Sequence, residues 1–165
     1  MEDATKGAMA YVPPGEGKTF WMAGGHMATF EATSEDTGGA YSITEETWPP
    51  QVGPPPHIHH TQEETFYILQ GEMEFVTDGT ITTRATTGSL VRIPRRVLRD
   101  YRNVGSELAR VLVLYAPAGF EGFFEEVGEL VTDQSAPPEG PPDVDRLVAT
   151  AAKYGAEIPP PPRSS

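Results

Sequence analysis

Apolar and β-branched residues recur along this chain in short runs rather than long stripes. FWMAG, HMATFEAT, AYSITEETW, ETFYILQG, EMEFVTD, TITTRAT, SLVRIP, LRDYRNV and ARVLVLYA succeed one another between residues 20 and 116. These apolar or β-branched runs recur at close spacing and have the length of strands. Turn signals separate them: residues 34–39, Pro49-Pro50, residues 53–56, Gly71-Glu72, Asp78-Gly79, Thr87-Gly88 and Val104-Gly105. Asp78-Gly79 between two such runs marks a tight hairpin. Short strands at this spacing predict an all-β sandwich or barrel.

Helical periodicity appears only late. Phe120, Phe123, Phe124 and Val127 share one face, predicting a short helix within 117–130. Those three phenylalanines form either a lid over the barrel mouth or plain helix-on-barrel packing. A Pro/Gly linker at 136–142 precedes a second helix, with Asp143 as N-cap, Leu147, Val148 and Ala151 as its apolar stripe, and Gly155 as its stop. The expected organisation is an N-terminal arm (1–19), a barrel (20–135), and a Pro-rich linker, short helix and polyproline tail (136–165).

Composition narrows the function classes. There is no cysteine, so neither a disulfide framework nor a thiolate site is available. No apolar stretch approaches 18 residues and no basic-then-apolar leader is visible at the start, so neither a membrane span nor a signal peptide is expected and the cytoplasm is the default compartment. A formal charge of −12 opposes binding to phosphate backbones, so nucleic acid is not an expected partner. Arg92, Arg95, Arg96 and Arg102 are expected to pair with surface acids. Unpaired sheet edges and the N-terminal arm point to a homodimer.

Chemistry concentrates in one segment. His57 and His59 are two apart, so on a strand they face the same side. Glu64 follows after room for one turn and shares a face with Phe66 and Ile68. Two imidazoles and a carboxylate on one face are the donor set of a divalent transition metal: Fe, Ni, Mn, Co or Zn. His60 alternates with His59 and should point outward. His26 is either a satisfied barrel histidine or a catalytic one. Trp21, Phe66, Met73 and Tyr101 are either barrel core or the wall of a pocket for a ring-bearing small-molecule substrate.

The run His57-x-His59-x4-Glu64-x6-Gly71 resembles the first cupin motif, and Gly88-x5-Pro94-x8-Asn103 resembles the frame of the second. DTGGAYSITEETWPPQVGPPPHIHH, EETFYILQGEMEF and NVGSELARVLVLYAPAGFEGFF are similar to the monocupins that resemble bacterial quercetin dioxygenases. The resemblance implies a jelly-roll-like β-barrel, a metal on His57, His59 and Glu64, and dioxygenase chemistry in which Glu64 is ligand and proton acceptor. Two positions depart from the pattern. Gln51 stands where the first motif usually has glycine. Arg99 stands where the second motif has its metal histidine, and a guanidinium has no lone pair to give.

Three arrangements then stand open. A three-ligand metal remains and Arg99 turns aside or binds an anionic substrate. The metal is absent and Arg99 pairs with Glu64. Or His26 or His60 supplies the missing ligand. The matching functions are a dioxygenase-like enzyme on an aromatic or polyketide-like molecule; a non-redox isomerase, cyclase or decarboxylase using Glu64 and Arg99; and a small-molecule binder without catalysis. Glu64→Gln is expected to stop turnover while sparing the fold.

Overall fold

The computed structural model describes residues 9–161. Twelve strands form among them: β1 (Thr19–Trp21), β2 (Met27–Ala32), β3 (Ser42–Trp48), β4 (His57–His59), β5 (Glu63–Gln70), β6 (Glu72–Thr77), β7 (Ile81–Thr86), β8 (Leu90–Ile93), β9 (Leu98–Asn103), β10 (Ala109–Ala116), β11 (Glu129–Leu130) and β12 (Ala156–Glu157). They make a seven-stranded sheet, β11-β1-β2-β3-β10-β5-β8, and a five-stranded sheet, β12-β4-β9-β6-β7. No hydrogen-bonded ladder joins the two sheets among the described residues. The two sheets make the expected all-β, jelly-roll-like fold.

Alternation puts the core between the sheets. On β10 the inward positions are Ala109, Val111, Val113 and Tyr115; on β5 they are Glu64, Phe66 and Ile68; on β6, Met73 and Phe75. Each fully buried side chain of the Val/Ile/Phe/Met size contributes about 1.5–3 kcal/mol, so this layer stabilises the molecule. β3 departs from that rule, because its inward positions are Ser42, Thr44, Glu46 and Trp48. Buried polar groups need partners, and those of Thr44 and Glu46 lie at the functional end of the fold.

The hairpin at Asp78-Gly79 forms as expected, with both residues at positive φ (51° and 68°) between β6 and β7. The helix expected within 117–130 spans only Glu121–Val127 (α2; the single turn Ser34–Thr37 is α1). Gly128 ends it, and Glu129–Leu130 leave as β11 to pair with β1. The last helix, α3 (Val144–Lys153), has Asp143 at its N-cap accepting from the Arg146 amide at 3.0 Å. Leu147 and Ala151 face inward, whereas Val148 is exposed, so the expected stripe is narrower by one residue.

Beyond Gly155 (φ 79°) the chain returns as β12 and pairs with β4, Ala156 opposite His59. Lys153 Nζ and Tyr154 Oη both donate to Glu126 Oε2 at 2.8 Å, tying α3 to α2. The C-terminal segment thus braces the histidine-bearing strand rather than trailing from it. Of the expected arm, residues 1–8 lie outside the described residues, and Thr19 already belongs to β1. Among the described residues no helix is long and apolar enough to cross a membrane.

Candidate active site

Local chemistry fixes where the histidines point. Pro54, Pro55 and Pro56 stiffen the approach to β4. Gly53 lies flat on β9, where an added Cβ would come within 2.0 Å of the Tyr101 carbonyl oxygen. On the three residues of β4, His57 and His59 turn inward and Ile58 turns partly out. Antiparallel pairing sets His57 opposite Arg99 on β9. Glu64 enters from β5 in the other sheet, so the cluster bridges the two layers.

Arg99 and Glu64 are each 0% exposed. Arg99 Nη1 donates to Glu64 Oε2 at 2.5 Å. Nη2 donates to the carbonyls of Pro94 at 2.8 Å and Val97 at 3.2 Å, and Nε donates to Val97 as well. The guanidinium is therefore clamped by β9's own approach loop and aimed at one carboxylate oxygen. The other oxygen, Glu64 Oε1, is 3.3 Å from His59 Nε2, yet neither atom has a hydrogen-bond partner. His57 Nδ1 contacts the Pro55 carbonyl at 2.9 Å. A carbonyl only accepts, so Nδ1 carries the proton and Nε2 keeps its lone pair.

The electrostatics follow from burial. Desolvation pushes the His57 imidazole down to about 4 against the pull of Glu64, with His59 and Arg99 adding to the fall. For Glu64, desolvation acts upward but is outweighed by His59, Arg99 and His57, which hold its carboxyl down at about 2. Both folded values lie below the unfolded ones, so on acidification the unfolded chain takes up protons first. Stability is expected to be full above pH 6.5, to fall between 6.5 and 4 through His57, and to fall further between 4.5 and 2 through Glu64. Each contribution is at most on the order of 3 kcal/mol. Urea titrations at pH 7, 5.5 and 4 check this, and His57→Asn should flatten the first step.

A cavity of about 340 Å³ opens at this end of the sandwich, lined among others by Trp21, His26, Trp48, His57, Glu64 and Tyr101. Phe120, Phe123 and Phe124 of the α2 region close one side, and the 138–143 segment with α3 closes another. His57, Glu64, Trp21, Tyr101 and His26 thus reach the cavity as the sequence suggests. Phe66 and Met73 do not. Both lie farther along their strands, in the core behind Tyr101, with the Phe66 and Tyr101 ring centroids 5.0 Å apart.

Arg99 and His59 are not on the cavity wall either; they stand behind Glu64. Of the arrangements left open for Arg99, the contacts are those of pairing with Glu64 rather than of meeting a substrate: its reach is used up by Glu64 and two backbone carbonyls. His60 is exposed and contacts Glu157 at 2.8 Å, and His26 faces Glu46 outside the His57–His59–Glu64 group, so neither replaces the missing ligand.

Sequence reading missed a second polar group in the cavity. Glu46 on β3 accepts from Thr44 Oγ1 (2.9 Å) and Tyr115 Oη (3.1 Å), and its other oxygen lies 3.1 Å from His26 Nε2. His26 stacks on Trp48 with centroids 3.5 Å apart and planes 9° from parallel. The available signal was the run Ser42, Thr44, Glu46, which places polar residues on what must be the inner face of a central strand.

Residues 44–115, which contain the whole cluster, match the cupin domain family model. Over that segment the chain is similar to cupin domains. It is 28% identical over 130 residues to quercetin 2,3-dioxygenase of Bacillus subtilis (strain 168), an alignment covering 78% of this chain and 38% of that protein. The chain thus spans well under half of that relative's length. Among solved structures it resembles KdgF from Halomonas sp. (TM-score 0.60, 15% identity, 68% of this chain and 99% of that one). It also resembles the polyketide cyclase RemF from Streptomyces resistomycificus (TM-score 0.59, 23% identity, 66% and 80%). At these identities the structural likeness shows the cupin fold alone.

Ligand atoms of His57, His59 and Glu64 lie within 4.8 Å of one another, and the unpartnered His59 Nε2 and Glu64 Oε1 are buried donors of the right kind. These residues can hold a divalent metal at three positions. Where a fourth cupin ligand would stand, this chain presents a fixed cation.

Proposed function

We propose that this cupin is an enzyme acting by proton transfer on a ring-bearing small molecule held in the aromatic cavity, as an isomerase, cyclase or decarboxylase. The observation that carries this is the buried Arg99–Glu64 pair. With neutral histidines the cluster has zero net charge as it stands. A dication roughly 5 Å from a guanidinium is repelled by about 7 kcal/mol at an effective dielectric of 20, and metal ligands must overcome that. His57 Nε2 and Glu64 Oε1 are the two acceptors, both on residues that line the cavity. Either can take a proton from an acidic carbon or enol of the substrate. Arg99 fixes Glu64 from behind and is a positioning residue.

A second reading draws on the unpartnered His59 Nε2 and on the similarity to a dioxygenase. There His57, His59 and Glu64 would hold Fe, Ni, Mn, Co or Zn, which would supply Lewis-acid or oxygen-activating chemistry. The two separate in one assay: a panel of hydroxylated aromatic and polyketide-like compounds, with and without chelator, in an oxygen electrode. The first reading expects turnover that survives chelation, consumes no oxygen and falls at least a hundredfold in His57→Ala. Oxygen uptake abolished by chelator would establish the second, and tight binding without turnover would mark a non-catalytic binder.

A further inference from the structure

The cavity has two polar corners, and the proposed proton transfer uses only one. The other is His26 with Glu46. Both are buried, both line the cavity, and neither belongs to the metal-type cluster. Glu46 receives Thr44 and Tyr115 on Oε1 and faces His26 Nε2 with Oε2. A carboxylate in this role only accepts, so Nε2 carries a proton toward it, and the tautomer with that proton alone has its lone pair at Nδ1. The Trp48 stack fixes the ring plane, and the Phe124 ring stands edge-on to it with centroids 6.3 Å apart. Nδ1 has no hydrogen bond among the described residues and is not one of their fully buried, partnerless atoms. It therefore opens on space, and the space bordered by His26 is the cavity.

We propose that His26, held by Glu46 and Trp48, is a recognition group for a hydroxyl on a planar ring, accepting its O–H at Nδ1. The ligand class is a phenol or ring enol, with its ring against the aromatic wall. The arrangement has the logic of a carboxylate–histidine dyad facing an alcohol. With a sufficiently acidic hydroxyl the O–H bond breaks, the proton passes to Nδ1 and the electron pair stays on the ring oxygen. The imidazolium so formed faces Glu46. This rests on the reading of the cavity as a ring-binding site, and it holds whether or not the other corner carries a metal.

The test uses the full-length chain. Nitrogen-15 NMR of the imidazoles is expected to find His26 protonated at Nε2 without ligand; a proton at Nδ1 instead overturns the proposal. Quenching of tryptophan fluorescence then compares 2-naphthol with its methyl ether, which lacks the donor. The parent should prefer the naphthol at least tenfold, because the ether leaves a buried acceptor unpaired. In His26→Phe, which keeps a flat ring against Trp48, the preference should fall below threefold; His26→Gln takes its place if that variant does not fold. Equal affinities in the parent, or an undiminished preference in the variant, overturn the proposal and leave ring binding standing. Failure of both compounds to bind overturns the ring-binding reading and this proposal with it.

Discussion

Arg99→Leu is expected to lose about 3–5 kcal/mol of folding stability, the cost of leaving one partner of a buried ion pair alone. The guanidinium is the hydrogen-bond donor that Glu64 Oε2 has, and both side chains are buried. Glu64→Gln should be destabilised comparably, because Arg99 would keep its charge and its two backbone contacts but lose its anion. The sequence-based expectation that this substitution spares the fold is revised for that reason. The double substitution Arg99→Leu/Glu64→Leu should recover most of the loss, as apolar replacements of buried pairs commonly do. Urea unfolding of the four proteins closes the cycle. Single variants within about 1 kcal/mol of the parent would mean that the pair does not exist as described.

Arg99→His should bind divalent metal at least tenfold more tightly than the parent, a gain of about 1.4 kcal/mol or more. The substitution removes a fixed cation and adds a lone pair on β9, directly opposite His57 in the ladder. His57 Nε2 is already free to coordinate, and His59 Nε2 and Glu64 Oε1 have no other partner. Calorimetric titration of both proteins with zinc or nickel reads the difference. If the parent works by proton transfer, the same change should also abolish its native activity, because Glu64 loses the group that orients it.

Much of this site is legible before any coordinates. Period-2 alternation places His57 and His59 together, and the offset to Glu64 brings the chain back alongside. The substitution at Arg99 is visible because its frame, Gly88, Pro94 and Asn103, is otherwise intact. Which way Arg99 points is not legible. That depends on the Pro94 and Val97 carbonyls, which the approach to β9 presents and no local pattern announces. The distinction between Phe66 and Tyr101, one deep and one on the cavity wall, is likewise a matter of distance along strands of the same inward register. The two-residue strands β11 and β12 are too short for any periodicity, and pairing with β1 and β4 alone defines them. Glu46 was hidden because a carboxylate on a central strand reads as an outward residue until its neighbours Thr44 and Tyr115 are seen to donate to it.

Under the proposed function, a clamped arginine stands where a fourth metal ligand would be and leaves a charge-balanced pair with Glu64. The metal content of the protein purified without chelator tests it most directly. Elemental analysis is expected to find iron, nickel, manganese, cobalt and zinc together far below one equivalent per chain. One full equivalent of any of them, lost together with activity on dialysis against chelator, would contradict the account.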